Sequence, residues 1–177
     1  MIAPSAGTVL VASPALSDPN FMRTVVYLLD HNADGTLGLI INRPLDVGLG
    51  ELWEGCPDEL EEQQLCAEGG PVERHRGLLI HGFADVNDAY QLAEGIAVGG
   101  DPDELHARTR DDDGSHGPRL FLGHAGWGEG QLADEVAVGS WLVRSGNPLL
   151  LLNPRPPEDL WNELLCSGSE LPPPSIN

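Results

Sequence analysis

The sequence predicts an α+β domain built on a closed or strongly curved sheet flanked by helices. Three observations carry that expectation. Short β-branched and apolar runs outnumber segments of helical period. They come in neighbouring runs rather than in strict alternation with helices. The chain has 177 residues and is 41% hydrophobic, enough for one real core without disulfide staples. Residues 1–166 are read as that single domain, and the Ser/Gly/Pro-rich stretch 167–177 as a disordered tail.

Each element follows from local chemistry. Residues 8–12 read as a strand, and Ser17-Asp18-Pro19-Asn20 as a turn or helix start, with Ser17 able to cap and Pro19 suited to a first helical position. Runs 24–30 and 36–42 read as two strands joined by a hairpin at Asp34-Gly35, and Pro44 stops the second. Residues 50–64 look helical but are broken at Pro57, with acid loading the first turns that follow. Short strands are expected at 65–67, ended by Gly69-Gly70-Pro71, and at 77–81 and 95–98. Asp101 as cap and Pro102 open a helix over 101–110. An acidic loop over 111–117 and a strand over 119–122 follow. Gly126-Trp127-Gly128-Glu129-Gly130 reads as a tight turn leading into a helix over 130–138. Strands over 140–144 and 149–152 and a last helix over 157–165 complete the reading.

The charge sum excludes several functions. Nine basic residues stand against 28 acidic ones, a net charge of −19, and every basic residue is arginine. Without lysine there is no Walker A, Schiff-base or kinase-type lysine. So acidic a chain is also ill suited to neutralising DNA phosphates. Cys56, Cys66 and Cys166 form no C-x-x-C and suggest a reducing compartment. The first apolar run, 9–12, is too short for a signal peptide, and no run reaches a membrane-span length. A cytoplasmic protein is expected, with no membrane association.

The usual catalytic and metal motifs are missing from the sequence, and we expect neither a metal nor a cofactor. Asp111-Asp112-Asp113 with His116 reads as a solvated loop rather than a metal site, which would need a rigid scaffold and a second shell of partners. Two arginine-bearing turns stand out: Asn20-Phe21-Met22-Arg23, and Asn42-Arg43-Pro44. Proline holds the backbone of Arg43 extended and so fixes where its side chain points. Two positioned guanidiniums in an acidic chain suit a carboxylate or phosphate. Internal ion pairs, for instance with Glu135, are the competing reading.

At this point the motifs resemble a family. Gly7-Thr8-Val9-Leu10-Val11-Ala12-Ser13-Pro14, followed by Asp18-Pro19-Asn20-Phe21 and Arg23-Thr24-Val25, is similar to the opening of the AlgH/YqgE family of bacterial proteins. Gly38 to Pro44, then Gly69-Gly70-Pro71-Val72, then Leu122 to Trp127 with Gly130-Gln131-Leu132, Glu135-Val136 and Ser140-Trp141-Leu142, follow in the family's order. His124 departs from the aromatic, and Ala133 from the glutamate, that the family often carries there. The resemblance implies a small flattened closed β-barrel, or curved mixed sheet, flanked by helices. It implies no proven catalytic activity, and it brings a transcriptional-regulator label that rests on no DNA-binding motif.

The leading expectation is therefore a non-catalytic binding protein, regulating indirectly through a small anionic ligand or a protein partner, without direct nucleic-acid contact. Asn20, Arg23, Asn42 and Arg43 are the expected ligand contacts. Gly69, Gly70 and Pro71 would shape one wall and Gly126, Trp127 and Gln131 another. The alternative is an enzyme in which Glu135 acts as base and Arg23 or Arg43 stabilises developing charge. A direct DNA-binding regulator comes last.

Overall fold

The computed structural model describes residues 2–169. The strands are β1 (Val9–Ala12), β2 (Val25–Asn32), β3 (Gly35–Ile40), β4 (Cys66–Glu68), β5 (Val72–His81), β6 (Tyr90–Ala93), β7 (Ile96–Val98), β8 (Arg119–Gly128) and β9 (Trp141–Arg144). The helices are α1 (Leu49–Leu52), α2 (Pro102–Asp111), α3 (Gln131–Ala137), α4 (Pro148–Leu152) and α5 (Pro157–Ser169). The strands form one sheet in the order β6-β7-β5-β8-β3-β2-β1-β9, all antiparallel, with β4 added in parallel beside β8.

The sheet is α+β and mixed, as expected, but the barrel is not closed. β6 and β9 are the two edges, and they do not pair with each other. Closure would need β9 to meet β6. Instead the Arg144 guanidinium of β9 is taken by the carbonyls of Leu164 and Leu165 on α5, at 2.9 and 3.3 Å. The result is a strongly curled half-barrel.

Period-2 alternation between two buried faces explains why β1, the first five residues of β2 and the end of β3 are apolar. Val9, Val11, Val25, Tyr27, Leu29 and Leu39 face one layer, which α4 and α5 cover through Leu151, Leu160, Trp161 and Leu164. Leu10, Ala12, Val26, Leu28 and Ile40 face the other, with Leu132 of α3 and Trp127 and Trp141. Both faces are buried, so both sets must be hydrophobic.

Three local expectations are corrected. Residues 149–152 form α4, not a strand, because Asn147 Oδ1 accepts from the Leu149 and Leu150 N–H groups and Pro148 opens the helix. Gly126, Trp127 and Gly128 are not a turn: β8 runs through them, paired with Gly35 to Leu37 of β3. The chain turns at Glu129-Gly130, with Gly130 at φ 74°, before α3. β6 has no counterpart in the sequence reading. The tail expected from residue 167 begins inside α5, which continues to Ser169, and its remainder lies outside the described residues. No helix among the described residues is long and apolar enough to cross a membrane.

Candidate functional site

The structure does gather the two arginine-bearing turns, but gives the Asn42 and Arg43 side chains to the backbone. Residues 18–23 form a compact turn in which Asp18 Oδ1 accepts from the Asn20 N–H at 2.9 Å. Arg43 reaches into this turn. Its Nη1 donates to the Asn20 carbonyl at 2.7 Å, and its Nη2 to the Pro19 and Met22 carbonyls at 3.1 and 3.3 Å. A guanidinium fork thus satisfies three turn carbonyls that no strand ladder reaches. Glu68 stands 3.9 Å away on the other side.

Asn42 is buried and works the same way. Its Oδ1 accepts from the Val25 N–H at 2.8 Å, and its Nδ2 donates to the carbonyls of Arg23 and Pro157 at 3.0 and 3.2 Å. It ties the turn, β2 and the start of α5 together. Arg23 is exposed, holds a left-handed backbone at φ 59°, and stacks its guanidinium 5.4 Å from the Trp161 ring centroid. The Asn20 side chain accepts from Arg74 Nη2 at 3.0 Å, a partner on β5 that the sequence reading did not supply.

The glycine wall is explained by close approach. A Cβ on Gly70 would lie 2.2 Å from the backbone of His124, so only glycine lets β8 pass there. Gly69 bridges β3 and β8, donating to Leu122 O at 2.7 Å and accepting from Ile40 N at 2.8 Å. Pro71 follows at the start of β5.

The second expected wall lies elsewhere. Trp127 is buried in the layer under α3, with Phe21 and Trp141 rings 5.9 and 5.8 Å away. Glu135 Oε1 accepts from both indoles, at 3.0 Å from Trp127 and 2.9 Å from Trp141. Its Oε2 accepts from Gln131 Nε2 at 3.0 Å, and Gln131 in turn accepts from the Gly128 N–H. Glu135 is therefore the anchor that holds α3 on the sheet. It makes neither the ion pair with arginine nor the open base geometry that the sequence left as alternatives.

A different set of residues makes the cleft. Between the pairs Val72–His124 and Gly77–Leu122 the β5 and β8 registers shift, so Glu73, Arg74, His75 and Arg76 stand opposite Gly123 alone. Four consecutive polar residues cannot alternate across a half-buried sheet, and they bulge outward instead. Glu73 holds φ 51°, a left-handed conformation that costs a residue with a Cβ about 1–2 kcal/mol. The bulge borders a cleft of about 450 Å³. Leu29, Leu37, Leu78, Leu92 and Val98 form its floor, which is the end of the sheet face that α4 and α5 leave uncovered. Tyr90, Glu73, Arg76 and His124 form its rim. Glu73 Oε1 lies 3.7 Å from Arg76 Nη1 and 3.9 Å from His124 Nδ1. None of the residues expected from the sequence lines this cleft. The one available signal was the run Glu73-Arg74-His75-Arg76, polar without a period, directly before an apolar strand.

Asp112, Asp113 and His116 do come within reach of one another in the acidic loop. His116 Nδ1 is already 2.8 Å from Asp112 Oδ1, and Asp113 and His116 are exposed.

Comparison with known proteins matches residues 9–169 to a family described as AlgH-like. A UPF0301 protein of Streptomyces avermitilis is 42% identical over 168 residues, covering 90% of this chain and 84% of that protein. One from Cupriavidus metallidurans is 36% identical over 155 residues, covering 85% and 80%. Among solved structures, the solution structure of AlgH from Pseudomonas aeruginosa superposes with a TM-score of 0.70 at 31% identity, covering 100% of this chain and 98% of that one. The crystal structure of protein DIP2367 from Corynebacterium diphtheriae gives a TM-score of 0.73 at 27% identity, covering 98% and 90%.

Proposed function

We propose a function for this chain on the premise that it belongs to the AlgH-like family: it is a non-catalytic binding protein that takes a small anion with an apolar body into the cleft beside the β5 bulge. The observation that carries this reading is the delivery of Arg76 and His124, beside Glu73 and Tyr90, to the rim of a cleft with an apolar floor. Its volume lies within the range of small-molecule sites, which combine apolar walls with a few convergent polar groups. In a body of net charge −19, a local guanidinium is the feature that makes an anion acceptable there.

Any regulatory role runs through this ligand or through a protein partner. Direct DNA contact is disfavoured, because the net charge opposes the phosphate neutralisation on which duplex affinity depends. The buried thiols of Cys56 and Cys66 suit a reducing compartment, and we place the protein in the cytoplasm. The enzyme reading through Glu135 is not favoured, since its oxygens serve two indoles and an amide.

Thermal melting with sodium decanoate tests the proposal. At about 100 times its dissociation constant a ligand adds roughly 2.7 kcal/mol, which for a chain of this size raises the melting temperature by roughly 5 to 11 °C. Arg43→Ala lowers the starting temperature but keeps the increment, whereas Arg76→Gln loses it. An increment lost in Arg43→Ala and kept in Arg76→Gln would return the site to the arginine-latched turn.

A further inference from the structure

Three features of the cleft remain unexplained by its being merely apolar. The first is the Glu73 backbone, which is held left-handed although glycine or asparagine would sit there at less cost. The second is the position of its carboxylate. A single oxygen, Oε1, faces both Arg76 and His124, at 3.7 and 3.9 Å, and makes a hydrogen bond to neither. The third is that, among the described residues, Arg76 and His124 have no other ion pair and no side-chain hydrogen bond. Every other arginine that holds the fold is engaged directly: Arg43 on turn carbonyls, Arg144 on α5, Arg119 on Leu151 O. Arg76 is held only by a neighbour on its own bulge.

Resting on the binding role assigned to this cleft, we infer that Glu73 is a built-in stand-in for the ligand's anionic group, and that the ligand is an amphipathic monocarboxylate. In the free protein the Glu73 carboxylate occupies the space between the Arg76 guanidinium and the His124 imidazole. An incoming carboxylate of the same shape and charge takes that space, its chain lies on Leu37, Leu78, Leu92 and Val98, and Glu73 swings to solvent. The exchange is easy because the internal pair is weak. The Glu73 and Arg76 side chains are 53% and 67% exposed, and exposed pairs at such distances contribute little. A monoanion is favoured over a dianion because the surrounding body repels each additional negative charge.

The stand-in competes with the ligand, so removing its charge tightens binding. Calorimetric titration of the full chain with decanoate, decyl phosphate and decanol tests this in wild type, Glu73→Gln and Glu73→Asn. Asparagine tolerates the left-handed backbone and guards against a folding defect in the glutamine variant. Both variants should bind decanoate about tenfold more tightly than wild type, and adding Arg76→Gln should abolish the gain. Binding in wild type with no gain in either variant overturns the stand-in and leaves the binding role intact. No decanoate binding in any form overturns the binding role itself. Decyl phosphate or decanol binding as tightly as decanoate overturns the monocarboxylate assignment.

Discussion

Replacing Asn42 by alanine should destabilise the fold by about 3 kcal/mol without touching the ligand. The side chain sits 5% exposed and spends its amide on the backbone of three separate segments. Without Oδ1 the N–H of Val25, a fully buried residue, loses its acceptor, and an orphaned buried donor costs about 1–3 kcal/mol. Losing the two donated bonds to Arg23 O and Pro157 O adds about 0.5–1.5 kcal/mol each, partly recovered where water can reach those carbonyls. The sum spans about 2–6 kcal/mol, and the recovery by water brings it into the lower half, about 3 kcal/mol, which lowers the melting temperature by roughly 6 to 12 °C. Urea unfolding is the assay: the midpoint should fall at unchanged slope, because the surface exposed on unfolding is the same. Asn42→Asp keeps an acceptor for Val25 but turns a carboxylate towards two carbonyls, so it should fare no better. A loss below about 1 kcal/mol in the alanine variant would mean that the Val25 N–H finds another partner, and the account of this knot would be wrong.

The other predictions concern single groups. His81 is fully buried; its Nδ1 accepts from the Phe83 N–H and its Nε2–H donates to Gly99 O, while burial pushes its pKa below the usual imidazole value. The unfolded chain therefore binds a proton near pH 6.5 that the folded one refuses, so this group's contribution to stability falls as pH drops below about 6.5; melting curves between pH 7.5 and 5 should show that slope, and His81→Asn should flatten it. Arg119 is 2% exposed, with its Nε unpaired, one bond to Leu151 O at 3.0 Å, and a pKa pulled down to about 10 by burial. Arg119→Met removes a buried guanidinium that meets the Leu151 carbonyl and the Phe121 ring, 4.8 Å from its centroid, and should leave the melting temperature unchanged or higher; a fall of more than about 4 °C would show that these contacts outweigh desolvation. Burial pushes the Cys56 thiol up to about 11 and raises that of Cys66 as well, so a thiol reagent should modify neither before unfolding, while exposed Cys166 reacts in the native state.

How far the sequence could be read depended on whether a segment's chemistry was local. Strands β1, β2 and β3 were legible because burial on both faces makes them continuous apolar runs bounded by turn residues. The cap of α2 was legible too, since Asp101 and Pro102 act within one turn. β6 was not, because Tyr90-Gln91-Leu92-Ala93 carries no β-branched residue and gains its strand character only from pairing with β7. The four leucines at 149–152 carry no period, and the Asn147-Pro148 cap just ahead of them should have decided for a helix.

The same division holds for the site. Sequence reasoning picked Asn20, Asn42 and Arg43, and the structure does bring them to one turn. What it could not show is that the turn aims its carbonyls at Arg43, so that the guanidinium serves the fold. Glu135 was expected as an ion-pair partner for arginine or as a base, yet whether it meets a substrate or two indole donors depends on how α3 lies across β8 and β9. The cleft depends on β2, β3, β5, β6, β7 and β8 converging, and no stretch of chain contains that convergence. His124 reaches the rim only because Gly70 lets β8 pass so closely.

Amide and methyl NMR spectra of the labelled chain, recorded while decanoate is added, address the cleft directly. Saturable shifts at Leu37, Leu78, Leu92, Val98 and His124, fading in Arg76→Gln, are the predicted outcome. Shifts confined to residues 18–23 and Arg43, or an unchanged spectrum at millimolar decanoate, would contradict it.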